Sequence, residues 1–250
     1  MGKGIVISLY DFTGEACRPW AEAGHECFCY DIQHDNRMGR VDEFESGGSI
    51  RYRYADLHDL STYKALYHAF SIIGAPVVFG MAFPVCTDLA VSGAAWFAAK
   101  AAADPVFQTK AVSYAIACAE FFDVLKVPYF VENPVSVLAT KWRKPDHSFH
   151  PFEYGGYISD GEAEHPRWPE YIAPYDAYKK KTCLWTGGGF KMPDTIPVQP
   201  EHYHGNGYST AMMKLGGKSQ RTKDIRSATP RGFAKAVYLA NGERDRKSVV

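Results

Sequence analysis

Long apolar runs are missing from this chain of 250 residues. No stretch approaches the roughly 18 apolar residues of a membrane helix, and the N-terminus lacks a signal-peptide pattern. We therefore expect a cytoplasmic protein without a membrane partner.

An excess of charge of one sign is missing as well, because 28 basic residues balance 28 acidic ones. Bulk charge therefore gives no indication of nucleic-acid binding. The distribution is uneven: nine basic residues face three acidic ones between 214 and 246, and Lys179–Lys181 form a second basic cluster. Solvated surface charge explains these clusters as well as a phosphate contact does.

The sequence also lacks the spacing of a common zinc motif. Its six cysteines fit no such pattern, and a disulfide framework is not expected in a cytosolic protein of this size. The histidines are scattered, with His202 and His204 as the best pair, so we predict no metal site. Five cysteines are predicted to be small buried apolar residues, namely Cys17, Cys27, Cys29, Cys118 and Cys183.

Short apolar runs alternate with helical segments. Strands are predicted at 4–9, 26–31, 50–55, 76–80 and 127–131, with a late strand at 182–186. Helices are predicted at 18–23, 60–73, 92–103, 109–125 and 228–241. Residues 143–178 and 187–224 are irregular. This order is typical of an α/β fold with a mostly parallel, doubly wound sheet.

The remaining cysteine, Cys86, follows the fourth predicted strand. Ligands collect at the carboxyl ends of such strands, and a thiol held there can act as a nucleophile. Glu132 ends the fifth strand. Because a carboxylate raises the pKa of a neighbouring thiol, Glu132 is expected to bind or protonate a substrate rather than activate Cys86.

Acidic residues follow the first three strands that lead up to Cys86. Asp11 lies in the first turn, Asp31 ends the second strand, and Asp56 follows the third. An acid at the end of the second strand typically accepts hydrogen bonds from ribose hydroxyls. The first turn carries only Gly14 and is not GxGxxG, so an adenosyl cofactor without phosphates, such as S-adenosylmethionine, fits better. Turn formation is the alternative for Asp31 and Asp56.

The ordered motifs resemble those of the DNA cytosine-5 methyltransferase family, and most closely its small phage-type members. The resemblance rests on a cofactor loop at 8–14, a Pro-Val-Cys segment at 84–86, Glu-Asn-Pro at 132–134 and a closing motif at 226–230. It covers residues 4–138 and 178–241.

The resemblance implies the Rossmann-like fold of S-adenosyl-L-methionine-dependent methyltransferases and DNA as the partner. Cys86 would add to cytosine carbon 6, and Glu132 would engage ring nitrogen 3 beside Asn133. The target base would be flipped out of the duplex. The implied cofactor contacts are Asp11, Phe12, Gly14, Asp31, Ile32, Asp56, Leu57, Pro84 and Thr229. The implied substrate contacts are Lys180, Lys181, Arg221 and Arg226.

It also implies a DNA (cytosine-5-)-methyltransferase divided into three parts. Residues 1–142 would form the cofactor-binding catalytic domain, residues 143–224 a small irregular target-recognition lobe, and residues 225–250 a helix that packs back on the catalytic domain. A phage-encoded enzyme would act in the host cytoplasm, and no obligate protein partner is expected.

Three departures from the family pattern leave alternatives open. Pro134 stands where valine is usual, Val85 stands where a second proline is common, and the Gln-x-Arg-x-Arg segment has no counterpart. The alternatives are the same pyrimidine carbon 5 chemistry on RNA, on a free nucleotide or with a modified donor, and a non-catalytic nucleic-acid-binding relative.

Overall fold

The computed structural model describes residues 4–201, 215 and 219–242. The predicted His202–His204 pair lies outside the described residues, as do the basic residues Lys214, Lys218, Arg244 and Arg246.

The centre of the fold is an eight-stranded sheet in the order β3-β4-β2-β1-β5-β6-β8-β7. Neighbouring strands from β4 to β6 are parallel, whereas β3 and β8 run antiparallel to β4 and β6. The strands are β1 Ile5–Leu9, β2 Glu26–Asp31, β3 Val41–Glu43, β4 Ser49–Tyr54, β5 Val77–Ala82, β6 Tyr129–Pro134, β7 His147–Phe149 and β8 Thr182–Gly187.

The strand order reverses beside β1. The chain runs from β1 outward through β2 and β4, and then returns with β5 on the other side of β1. In open α/β sheets a crevice forms at such a reversal, at the carboxyl ends of the strands. The predicted α/β class with a mostly parallel sheet is confirmed, and the topology is compatible with a Rossmann-like fold.

Seven α-helices are present in the described residues. They are α1 Arg18–Glu22, α2 Ser61–Ile73, α3 Phe97–Ala103, α4 Phe107–Leu125, α5 Leu138–Lys141, α6 Gln220–Ser227 and α7 Arg231–Asn241. Pro19 is tolerated in α1 because it lies in the first turn. The last turn of α2 ends at Gly74, whose φ of 74° suits glycine.

The chain divides into two compact units. The first comprises the described residues of Met1–Ser148 and Thr182–Phe190. All five residues of β1 are buried, as expected for a parallel strand covered on both faces. At Gly80 in β5, a β-carbon would collide with the Phe122 ring of α4, so close packing of helix on sheet requires glycine there.

The second unit comprises the described residues of Phe149–Lys181 and Lys191–Val250. Its aromatic core includes Phe149, which stacks on Phe233 of α7 with ring centroids 3.9 Å apart. Asp176 accepts a hydrogen bond of 3.0 Å from the backbone N–H of Gly232, which satisfies a donor in the first turn of α7.

Two predicted helices were wrong in their bounds. The first part of 92–103, Val91–Trp96, is a 3₁₀ helix, and α3 begins only at Phe97; Gly93 disfavours an α-helix in this segment. The last helix begins at Arg231 and not at Ala228, because Pro230 excludes the helical conformation from the residue before it. Sequence periodicity also missed β3, β7, α5 and α6, which are all short.

Candidate active site at the carboxyl ends of the parallel strands

Cys86 lies on an exposed turn immediately after β5. It opens a 3₁₀ helix, Cys86–Asp88, and its carbonyl oxygen accepts hydrogen bonds from the N–H groups of Leu89 and Ala90 at 3.0 and 2.8 Å. Among the described cysteines it alone is exposed, whereas the other five are buried as predicted. A nucleophile must reach its substrate, so exposure separates Cys86 from the structural cysteines.

The turn that carries Cys86 is tied to the segment that follows β6. Val91 donates its N–H to the Val135 carbonyl oxygen at 3.0 Å, and Val137 donates to the Leu89 carbonyl oxygen at 3.0 Å. Ala90 also forms an isolated antiparallel bridge with Ser136. These backbone bonds fix the two loops against each other.

Asn133 is the side chain that joins these loops. It is fully buried, and its Nδ2 donates a hydrogen bond of 2.9 Å to the carbonyl oxygen of Pro84, two residues before Cys86. Its Oδ1 has no hydrogen-bond partner among the described residues. The predicted cofactor contact Pro84 is itself buried, so a buried hydrogen bond anchors the chain two residues before Cys86.

Glu132 precedes Asn133 on β6 and is partly exposed. The parallel register places Ala82 of β5 opposite Val131 of β6, so the Cys86 turn leaves β5 at the end of the sheet where Glu132 lies on β6. Behind Glu132, β8 pairs antiparallel with β6, and Leu184 lies opposite Glu132.

Two polar side chains from the helices hold the outer part of the turn. Lys100 of α3 donates from Nζ to the Thr87 carbonyl oxygen at 3.1 Å and to Asp88 Oδ1 at 2.6 Å. Gln108 of α4 lies 3.5 Å from the Asp88 carbonyl oxygen through Nε2. Sequence reasoning missed both residues, because neither belongs to a motif and both act through the fold.

The turn after β1 lies beside this region, since Phe83 donates its N–H to the Leu9 carbonyl oxygen at 3.0 Å. Asp11 is buried, and its carboxylate accepts hydrogen bonds from the Gly14 N–H at 2.7 Å and from Ser8 Oγ at 2.7 Å. Gly14 has a φ of 72°, and a β-carbon there would meet Tyr52 Oη at 2.5 Å. Asp11 therefore shapes the turn.

Two apolar side chains remain exposed next to this turn. Phe12 and Ile32 expose 37% and 55% of their surface, respectively. The Phe12 ring stacks on His34 at 5.5 Å, and His34 Nε2 lies 3.1 Å from the Asp11 carbonyl oxygen. An aromatic ring and an aliphatic side chain beside a strand end are suited to hold a flat apolar group.

Asp31, at the end of β2, is buried and accepts a hydrogen bond of 2.8 Å from the Gln33 N–H. Burial raises the pKa of Asp31 above its usual range, although the hydrogen bonds from Gln33 lower it in part. A carboxylate held here lacks the hydration it would have in water, so hydroxyl donors from a ligand would stabilise it.

The acid that follows β4 is more exposed than Asp31 at the end of β2. Asp56 follows β4, is partly exposed, and accepts a hydrogen bond of 3.0 Å from the His58 N–H. Leu57 is buried, and its carbonyl oxygen accepts a hydrogen bond of 2.9 Å from Tyr10 Oη. Tyr10 has a φ of 56°, which is unusual for a residue other than glycine. This bond joins the turns after β1 and β4.

The remaining predicted contacts belong to the second unit. Thr229 is buried between α6 and α7. Lys180 donates to the Arg226 carbonyl oxygen at 2.7 Å, and Arg226 Nη2 donates to the Leu215 carbonyl oxygen at 2.8 Å. Lys181 is exposed, as is Arg221, whose guanidinium lies 5.8 Å from the Tyr171 ring centroid. Lys180 and Arg226, predicted as substrate contacts, thus form hydrogen bonds within the second unit.

A surface cavity of about 360 Å³ lies at the opposite edge of the sheet, where β5 begins, and includes Pro76 and Val77 in its lining. In the part of the chain that the structure describes, no helix has both the length and the apolar character needed to span a bilayer.

No protein-family model matches the chain, and no curated protein matches it significantly.

Proposed function

We propose that this protein is an S-adenosyl-L-methionine-dependent methyltransferase acting on carbon 5 of cytosine in DNA. The observation that carries the proposal is the clamp between Asn133 and Pro84. It couples an exposed cysteine to a carboxylate on the neighbouring parallel strand, beside two acid-bearing turns. A thiol and a carboxyl group at one sheet edge suit a pyrimidine ring, which needs a nucleophile at carbon 6 and a hydrogen bond at nitrogen 3.

The residues present fit the proposed cofactor. Asp31 is a buried acceptor at the end of β2, and Phe12 and Ile32 are apolar side chains exposed nearby. They would hold the ribose hydroxyls and the adenine, respectively, with Asp56 and the backbone of Leu57 as further contacts. When bound, S-adenosyl-L-methionine carries a methyl group on a sulfonium, which is electrophilic toward carbon.

Cys86 would perform the first step. Carbon 5 of cytosine is a weak nucleophile, and addition of the Cys86 thiolate to carbon 6 forms a C–S bond and moves the ring electron pair toward carbon 5. Carbon 5 would then take the methyl group, with S-adenosyl-L-homocysteine as the leaving group. The proton of carbon 5 would pass to a solvent base, and the bond between Cys86 and carbon 6 would break. This restores the aromatic ring and the thiolate.

Glu132 would stabilise the charge that develops on the ring. A protonated carboxyl group hydrogen-bonded to nitrogen 3 favours addition more than it favours substrate binding, so its effect falls on the transition state. Asn133 would act as a positioning residue, because its contact is with the Pro84 carbonyl and not with a reacting atom.

DNA is the proposed substrate because it is the substrate that the resemblance implies. The target base would be extruded, since a thiolate must approach carbon 6 from a face of the ring, and stacking covers both faces. The exposed cations Lys181 and Arg221 would contact phosphates. RNA and free nucleotides offer the same ring, so the experiment must separate them.

Transfer of labelled methyl groups from S-adenosyl-L-methionine to DNA, tRNA and dCMP tests the proposal. We expect 5-methylcytosine in DNA only, and a loss of at least about 10³-fold in Cys86→Ser, since the nucleophile is removed. Cys118→Ser is the matched control, because Cys118 is a buried cysteine of α4. Methylation of tRNA or dCMP in place of DNA would overturn the substrate assignment, and DNA binding without any transfer would leave only a binding protein.

A further inference from the structure

Three thiols and a carboxylate meet beneath the turn that follows β1. Cys17 immediately precedes α1, and Cys27 and Cys29 point to the same face of β2 because side chains alternate along a strand. All three cysteines are completely buried, and Asp11 is only 4% exposed. Sulfur and carboxylate donors are thus concentrated at one enclosed position.

The donor atoms have the spacing of a metal coordination shell. Cys29 Sγ lies 3.5 Å from Cys17 Sγ and 3.7 Å from Asp11 Oδ2, and the three donor atoms all lie within 4.8 Å of one another. Around a tetrahedral zinc ion, with Zn–S near 2.3 Å and Zn–O near 2.0–2.2 Å, neighbouring donors are separated by about 3.5–3.8 Å. The Sγ–Sγ separation of 3.5 Å is about 0.3 Å below the tetrahedral sulfur–sulfur value of about 3.8 Å, and the Sγ–Oδ2 separation of 3.7 Å is close to the sulfur–oxygen value of about 3.6 Å.

The chemistry of the donors selects a thiophilic cation. Two cysteine sulfurs with one carboxylate suit zinc or cadmium better than magnesium or calcium, which prefer oxygen. Cys27 lies next to this group, since its Sγ donates to the Cys17 carbonyl oxygen at 3.6 Å, but it is not one of the three mutually close donors. With Cys17 and Cys29 as thiolates, a divalent ion would reduce three buried negative charges to one, and two thiol protons would pass to solvent.

We propose that Asp11, Cys17 and Cys29 form a binding site for a thiophilic divalent cation such as zinc. The site shares Asp11 with the implied cofactor contacts, whereas its two thiols, Cys17 and Cys29, take no part in the proposed methyl transfer. Asp11 also accepts the Gly14 N–H at 2.7 Å, so a bound ion would stiffen the turn after β1. The proposal departs from the sequence-based expectation of no metal, because Cys17 meets the β2 cysteines only in the folded chain.

The test uses the full chain, purified under reducing conditions and refolded with Zn²⁺. Elemental analysis should give about one zinc per chain. Cadmium titration of the metal-stripped protein should produce a sulfur-to-metal charge-transfer band. Cys29→Ser should weaken binding at least about tenfold. Cys118→Ser should bind like the wild type, since Cys118 is equally buried but lies in α4 against Tyr63.

Thiol protection tests the wild type directly, in case Cys29→Ser fails to fold. Zn²⁺ should slow alkylation of Cys17 and Cys29 under mild denaturation and leave that of Cys118 unchanged. The proposal is overturned if the refolded wild type holds no zinc and shows no cadmium band, or if a Cys17–Cys29 disulfide forms in its place. Metal content is measured without any activity assay, so this result is separate from that of methyl transfer.

Discussion

At the scale of single residues, the side chains of the candidate site differ in exposure, and their proposed roles differ accordingly. Cys86 is exposed, whereas Asn133, Asp11 and Asp31 are buried or nearly so. The buried groups are therefore suited to fix the backbone or to bind a ligand. Of these four side chains, only the exposed thiol is suited to attack a substrate. Asn133 illustrates this best, because its hydrogen bond is to the Pro84 carbonyl two residues from the thiol.

Asn133→Ala should reduce kcat by about 10–100-fold, because a small misplacement of a nucleophile is costly. It should also lower the free energy of unfolding by about 1–3 kcal/mol, since the Pro84 carbonyl loses a buried donor. The matched control is Asn241→Ala, which removes a buried amide bonded to Lys191 in the second unit. We expect the control to lose stability and keep kcat; equal kcat losses in both variants would show that Asn133 is only structural.

Asp31→Asn should raise the melting temperature at neutral pH by about 1–3 °C. Because burial raises the pKa of Asp31, the folded state holds this proton more tightly than the unfolded state does. The contribution of Asp31 to stability is therefore greatest at acid pH, and it falls as pH rises through the raised pKa.

The gain in Asp31→Asn should accordingly vanish at acid pH, which thermal melts at a series of pH values can follow. The same variant should bind S-adenosyl-L-methionine at least about tenfold more weakly in calorimetry, because a charged acceptor is stronger than an amide. Unchanged affinity would show that Asp31 does not contact the ribose.

At the scale of elements, the site depends on short connections between strands and helices. The 3₁₀ turn of Cys86 is held from α3 by Lys100 and from β6 by Asn133. Such a turn has little stability of its own, because a few 3₁₀ hydrogen bonds have poor geometry. Its conformation is therefore set by tertiary contacts, which residue spacing does not reveal.

Lys100→Met should lower kcat by about 3–30-fold and leave the Kd for S-adenosyl-L-methionine unchanged, since the contact orders the turn of Cys86 and not the cofactor loop. Lys110→Met is the matched control: Lys110 forms a comparable surface pair with Asp104, at 2.9 Å. Steady-state kinetics and isothermal calorimetry measure the two quantities. A loss of cofactor affinity in Lys100→Met, or an equal kcat loss in the control, would contradict the assigned role.

At the scale of the whole molecule, much of the framework could be predicted from the sequence. The apolar runs that became β1, β2, β4, β5 and β6 were predicted within three residues, since buried parallel strands leave a strong local signal. The positions of Cys86 after β5 and of Asp31 at the end of β2 followed from that, whereas Glu132 lies inside β6, which continues to Pro134. Three arrangements could not be predicted, because each joins residues that are not adjacent in the chain. They are the hydrogen bond from Asn133 to Pro84, the contacts of Lys100 with the Cys86 turn, and the cluster of Asp11, Cys17 and Cys29.

Because the charge of the molecule is balanced, the proposed DNA binding would depend on a few local cations. Lys181→Ala and Arg221→Ala should each weaken DNA binding and reduce the salt slope, d log K/d log [salt], by about 0.9, as one released counterion predicts. Lys64→Ala is the control, since Lys64 is exposed on α2, and its slope should equal that of the wild type. Filter binding at several salt concentrations gives the slopes; three identical slopes would exclude these contacts.

Covalent trapping tests the central claim, attack by Cys86, most directly. Duplex DNA containing 5-fluorocytosine has no proton to lose at carbon 5, so with S-adenosyl-L-methionine the adduct should persist. We predict a complex that survives denaturation, whose peptide map places the nucleotide on Cys86, and that forms with Cys118→Ser but not with Cys86→Ser. Methyl transfer that continues in Cys86→Ser, or an adduct on another residue, would contradict the account.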